Sequence, residues 1–200
     1  MALSFSPQAH ERIARLLPQY PTRMAACLPV LWVAQEEFGW LSAEAMRLVA
    51  ETLELPESHV YSVVTFYTMY RRHPVGTYHI QVCTNVACML RDAYQVLSRF
   101  ERALELKPGE TTPDGTFTLS EVECLAACGT APCVQINDRY HEPVRPEEVE
   151  ALVARLRLEA PALRAARPVA SAAGPIVTAQ SVPAADRAPT AQGLPAVERD

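Results

Sequence analysis

Six cysteines are the residues of this chain best suited to chemistry: Cys27, Cys83, Cys88, Cys124, Cys128 and Cys133. Four of them form two pairs, Cys83-x4-Cys88 and Cys124-x3-Cys128. An even count in a small exported chain would read as disulfides. No basic segment followed by an apolar stretch opens the sequence, so metal binding or catalysis is the better expectation. Four thiolates gathered in a partly buried site need a cation. Zinc, an iron–sulfur cluster and a pair of disulfides all remain open. Zinc draws four sulfurs to about 2.3 Å and favours tight knuckles. A [2Fe–2S] rhomb divides its ligands between two irons, needs wider loops, and tolerates an x4 spacing. The intervening residues favour the cluster. Thr84, Asn85, Val86 and Ala87 fill one loop, and Leu125, Ala126 and Ala127 the other, with Gly129, Thr130 and Ala131 following. Small side chains let backbone N–H groups approach sulfur, and neither loop holds Lys or Arg. No Cys-x-x-Cys pair is present, which disfavours a thiol–disulfide exchanger.

Other chemistries leave no trace. No nucleophile elbow, G-x-G-x-x-G or phosphate loop occurs, so no catalytic residue and no flavin or nucleotide site is expected in this chain. His79 is expected to face solvent from a strand, and His59 and His73 lack a second metal ligand at helical spacing. Cys27 and Cys133 read as small core residues. The net charge of −5, from 18 basic and 23 acidic residues, speaks against nucleic acid and anionic membranes. No apolar run reaches the roughly 18–20 residues of a membrane span, so no direct membrane insertion is expected.

The elements that must position the cysteines fall into three regions. Residues 1–73 read as helical. Ser6-Pro7 starts a first helix, Thr22 caps a second that runs to Gly39 with Pro29 kinking or delaying it, and Ser42 caps a third. A fourth begins at Pro56, and its Tyr61, Phe66, Tyr67 and Tyr70 are expected in the core. From 74 to 160 the order is β-α-β-β-α. Strands end at Cys83 and Cys124, a helix uses Leu90, Ala93, Leu97, Phe100 and Leu104, and a last helix opens at Pro146. Residues 161–200 hold 12 Ala and 6 Pro and no aromatic residue. That composition reads as a disordered tail in which the prolines leave no room for a helix.

Val82-Cys83-Thr84-Asn85-Val86-Ala87-Cys88 and Glu123-Cys124-Leu125-Ala126-Ala127-Cys128-Gly129-Thr130-Ala131-Pro132 resemble the E-type subunits of bacterial NADH:quinone oxidoreductase, respiratory complex I. Val64-Thr65-Phe66-Tyr67-Thr68-Met69, Pro74-Val75-Gly76, Val134-Gln135-Ile136-Asn137 and Tyr140-His141 extend the likeness over about residues 5–157. The resemblance implies an α+β chain, a helical bundle followed by a thioredoxin-like [2Fe–2S] ferredoxin domain. It implies one [2Fe–2S] cluster on Cys83, Cys88, Cys124 and Cys128. It also implies a partner subunit that carries the FMN and binds NADH, single-electron exchange with that flavin, and a peripheral place on the cytoplasmic face of the bacterial inner membrane. The corresponding subunit of an NAD-dependent hydrogenase or formate dehydrogenase looks alike around the cluster, and a zinc-stabilised interaction module is the reading outside redox chemistry. Three positions depart from the family pattern: Ala126 and Asp92 stand where Gly is frequent, and Cys133 where a plain apolar residue is common.

Overall fold

In the computed structural model, which describes residues 3–166, the first helix α1 (Pro7–Leu16) starts where Ser6 Oγ accepts the Ala9 N–H at 3.2 Å. Pro7 at its first position gives up an N–H that no helix would use. Helix α2 (Cys27–Phe38) begins later than Thr22 suggests. Thr22 Oγ1 accepts the Ala25 N–H and closes only a turn. Pro29 thereby falls in the first turn of α2, where its missing donor costs nothing. Gly39 ends α2 at φ 80°, and Ser42 caps α3 (Ala43–Leu53) by accepting the Ala45 N–H. Helix α4 (Glu57–Phe66) completes an all-helical unit. Val30, Leu31, Val33, Val49, Leu53, Val60 and Val64 form its buried centre, with Cys27 wholly enclosed among them. The aromatic run divides: Tyr70 is buried and donates its hydroxyl to Leu28 O, Tyr67 is half-buried, and Tyr61 and Phe66 lie on the surface.

Beyond Gly76, strand β1 (Tyr78–Cys83) leads into a short helix α5 (Val86–Met89) and a longer α6 (Ala93–Leu104). Strands β2 (Phe117–Val122), β3 (Val134–Ile136) and β4 (Arg139–His141) follow, then α7 (Val149–Ala166). The sheet order is β2-β1-β3-β4, with β1 parallel to β2 and the other pairs antiparallel. A parallel pair needs a crossover, which α6 supplies. Ile80, Val82, Phe117, Leu119, Val134 and Ile136 form a second buried core with Phe100, Leu104, Val149 and Leu156 of α6 and α7. Gly76 is required at the entry to β1, because a Cβ there would lie 2.8 Å from the Phe117 backbone.

Three further expectations change. Leu90 precedes α6 and is 75% exposed. His79 does not point into solvent: its Nε2 lies 2.8 Å from Ser120 Oγ on β2, and burial, then the Arg71 charge, takes its pKa down to about 3. Helix α7 continues through Pro161 to Ala166. Arg164 holds that last turn, donating to Asp114 O, Thr116 Oγ1 and Thr77 Oγ1. The remainder of the region read as a tail, residues 167–200, lies outside the described residues. Among the described residues no helix is long and apolar enough to cross a membrane.

Candidate metal centre

Each cysteine pair sits where a strand gives out. Cys83 is the last residue of β1, and its thiol donates to Glu123 O at 3.7 Å, which ties the first pair to the loop of the second. Asn85 then caps α5 by accepting the Val86 N–H, and that single turn carries Cys88 back under the sheet end. Cys83 and Cys88 are buried in a small cluster with Ala93, Ala131 and Cys133. Cys124 and Cys128 are exposed on the loop after β2, with Cys128 opening a short 3₁₀ turn to Thr130. The Ala126 N–H donates to Cys124 Sγ at 3.3 Å. Tyr140 Oη donates to Leu125 O at 2.8 Å and fastens the loop to β4.

The thiols sense one another. Burial raises the Cys88 pKa, the Cys133 amide facing its sulfur works against that, and Cys83 and Cys128 add to the rise. Burial, followed by the Glu142 carboxylate, pushes Cys133 up to about 12, so it is a neutral thiol. The structure packs Cys83 and Cys88 together in one buried cluster, and Cys124 and Cys128 lie exposed on the loop after β2. Among the described residues no three His, Cys, Asp or Glu side chains converge tightly enough to hold a single ion. A lone zinc would need all four sulfurs at about 2.3 Å. A [2Fe–2S] cluster divides its ligands between two irons and suits one buried pair beside one exposed pair. All six cysteines are free thiols in this structure.

Sequence reasoning named the side chains but missed the main-chain groups at the site: Glu123 O, the Ala126 N–H and the Cys133 amide. The one signal available was the small-residue filling of the two loops. Ala126 and Asp92 both adopt positive φ, 58° and 70°. Asp92 takes up the αL position that opens α6, where its carbonyl accepts the Gln95 and Val96 N–H groups and its side chain makes no cap hydrogen bond.

The family model for thioredoxin-like [2Fe–2S] ferredoxins matches residues 13–157. An E-type subunit of the NADH-quinone oxidoreductase of Rhizobium meliloti (strain 1021) is 42% identical over 147 residues, 74% of this chain and 88% of the relative. The E-type subunit of the NADH-quinone oxidoreductase of Rickettsia prowazekii (strain Madrid E) is 45% identical over 141 residues, 69% of this chain and 80% of the relative. Among solved structures, an NAD⁺-reducing [NiFe]-hydrogenase in its H₂-reduced state shares the fold at a TM-score of 0.60 and 20% identity, over 67% of this chain and 22% of that one. The cysteine-bearing strand ends all lie inside the matched segment, and the chain belongs to the thioredoxin-like [2Fe–2S] ferredoxin family.

Proposed function

We propose that this chain is the electron-carrying E-type subunit of an NADH:quinone oxidoreductase, with one [2Fe–2S] cluster bound by Cys83, Cys88, Cys124 and Cys128. The observation that carries the reading is the placement of these four thiols at adjacent strand ends, inside a segment shared with the E-type relatives over most of their length. The cluster supplies one-electron chemistry. The chain's own part is to bind it, exclude water from the Cys83–Cys88 side, and donate N–H groups to sulfur. All-thiolate ligation favours a low potential, in the region of about −400 mV.

No flavin or nucleotide motif is present, so the electrons come from a partner subunit that holds FMN and receives hydride from NADH. Val86, Met89, Leu90 and Tyr94 are exposed around the α5 turn beside Cys88, and Tyr140 is exposed beside the second loop. These exposed apolar side chains flank the cysteine-bearing segments and suit the docking face for the flavoprotein. The two separate cores support a division into a helical unit, 1–73, and a ferredoxin unit, 74–160. The complex would hold the chain peripherally at the cytoplasmic face of the inner membrane.

Anaerobic purification with iron, sulfide and zinc analysis, then an EPR spectrum after dithionite, tests this. Two irons, two sulfides and a rhombic S = 1/2 signal are expected, and one zinc with no reducible signal would overturn it. Replacing Cys83, Cys88, Cys124 or Cys128 by Ser should each lose or disturb the signal, whereas Cys27→Ser should leave it unchanged.

A further inference from the structure

One peptide group on the second cysteine loop is held at both ends. It joins Leu125 to Ala126, just past Cys124. At its nitrogen end, the Ala126 N–H donates to Cys124 Sγ at 3.3 Å. At its oxygen end, Leu125 O accepts the Tyr140 hydroxyl at 2.8 Å. Tyr140 stands on β4, where the ladders pair Gln81 with Gln135 and Gln135 with Tyr140. Directly opposed residues share a face of the sheet, so the register fixes the side from which Tyr140 reaches the loop. The Leu125 side chain is half-buried against the cluster of Cys83, Cys88 and Cys133. Ala126 then turns the chain at φ 58°.

A peptide is planar, so an orientation imposed on its C=O is imposed on its N–H. We propose that Tyr140 is a positioning residue for the cluster: its hydroxyl fixes the Leu125–Ala126 peptide so that the Ala126 N–H stays on the Cys124 sulfur. The proposal rests on the cluster reading given above. The hydroxyl also polarises the peptide it binds. A carbonyl that accepts a hydrogen bond leaves the N–H of the same peptide a stronger donor. Without the hydroxyl, water replaces it at Leu125 O, and nothing from the sheet sets the direction of that peptide.

The consequence is electrostatic. Reduction adds one negative charge to the site, and an N–H aimed at a ligand sulfur favours that charge. Tyr140→Phe keeps the ring, brings in no charge and removes the O–H, so reduction becomes harder. The sign is diagnostic. Water admitted to the loop would stabilise the added charge, so greater exposure alone would make reduction easier.

The test uses the full chain purified anaerobically without its partner, so that docking does not enter. Iron and sulfide are counted and the potential is read by EPR-monitored titration. Tyr140→Phe should keep its iron and sulfide and shift the one-electron equilibrium constant about threefold against reduction, about 28 mV negative at about 59 mV per tenfold. A para-aminophenylalanine at position 140 restores a donor on the ring and should titrate with the wild type. A wild-type or more positive potential for Tyr140→Phe would overturn the proposal, as would a para-amino variant that shifts as far as the Phe variant. If the Phe variant holds no iron, the para-amino variant decides: a loaded cluster at the wild-type potential supports the role of the hydroxyl, and any other result overturns it. A wild-type chain with neither iron nor signal sinks the cluster reading and this proposal together, whereas a normal cluster with unmoved potentials sinks the proposal alone.

Discussion

Ala126 shows how one backbone angle can decide what a residue costs. Its φ of 58° places it in the left-handed region, on the loop whose N–H reaches Cys124 Sγ. A Cβ in that region costs roughly 1–2 kcal/mol, and glycine avoids the penalty at some cost in unfolded-chain entropy. Ala126→Gly should therefore stabilise the protein by about 0.5–1 kcal/mol, read as a rise in Tm of roughly 1–4 °C. Asp92→Gly should gain less. Aspartate tolerates the left-handed region better than alanine, and the change also removes the acceptor for Gln95 Nε2 at 2.7 Å. An unchanged or lowered Tm for Ala126→Gly would mean the loop depends on the alanine methyl. The sequence marked both positions as departures from a glycine pattern. It could not give the reason, because a dihedral angle leaves no mark in composition or periodicity.

Between elements, the hidden contacts are polar ones made by unremarkable residues. Gln35 lies on α2 and is 3% exposed. Its Nε2 donates to Met69 O at 3.2 Å, and its Oε1 accepts the Arg71 N–H at 2.6 Å. The amide thus fastens the segment that leads from the helical unit toward β1. Gln35→Leu fits the apolar surroundings yet takes the side-chain partner from two part-buried main-chain groups, Met69 O and the Arg71 N–H. The expected loss is about 2–4 kcal/mol, measured by denaturant unfolding, and a loss under about 0.5 kcal/mol would show that water replaces the amide. The helices and strands themselves were legible because local chemistry writes them: Ser6 and Ser42 as caps, Gly39 as a stop, and alternation along Tyr78–Cys83. The four cysteines proposed as ligands stand out by type and spacing. Long-range partners do not. His79 has the alternation of an outward residue, and only the neighbouring strand supplies Ser120. Pro161 looks like a helix stop, and only the turn of residues 112–116 supplies the groups that hold Arg164 beyond it.

At the scale of the whole molecule, that same turn is where the C-terminal helix, the β2 hairpin region and the entry to β1 meet. Arg164 donates to Asp114 O and Thr116 Oγ1, while the Asp114 carboxylate accepts from Thr112 Oγ1, Thr116 Oγ1 and the Thr116 N–H. Burial works against the Asp114 charge. The hydrogen bonds from Thr112 and Thr116, with the Arg164 charge, outweigh it and bring the pKa down to about 2 from 3.8. A carboxyl held below its unfolded value stabilises the fold while it is ionised. Its contribution is fully present above the unfolded value and is lost as the pH falls through the folded one. Asp114→Asn should therefore lower Tm at neutral pH by roughly 2–4 °C, the equivalent of about 1 kcal/mol for a chain of this size. The deficit should close between about pH 4 and pH 2, where the wild type loses its own advantage. His79 also weakens the wild type in acid: its folded pKa of about 3, against an ordinary 6.5, withdraws stability as the pH falls through that interval. Both proteins carry His79, so its effect cancels when one melting curve is subtracted from the other. A difference that stays constant from pH 7 to pH 2 would assign the loss to altered turn geometry and remove the charge of Asp114 from the account of how α7 is held.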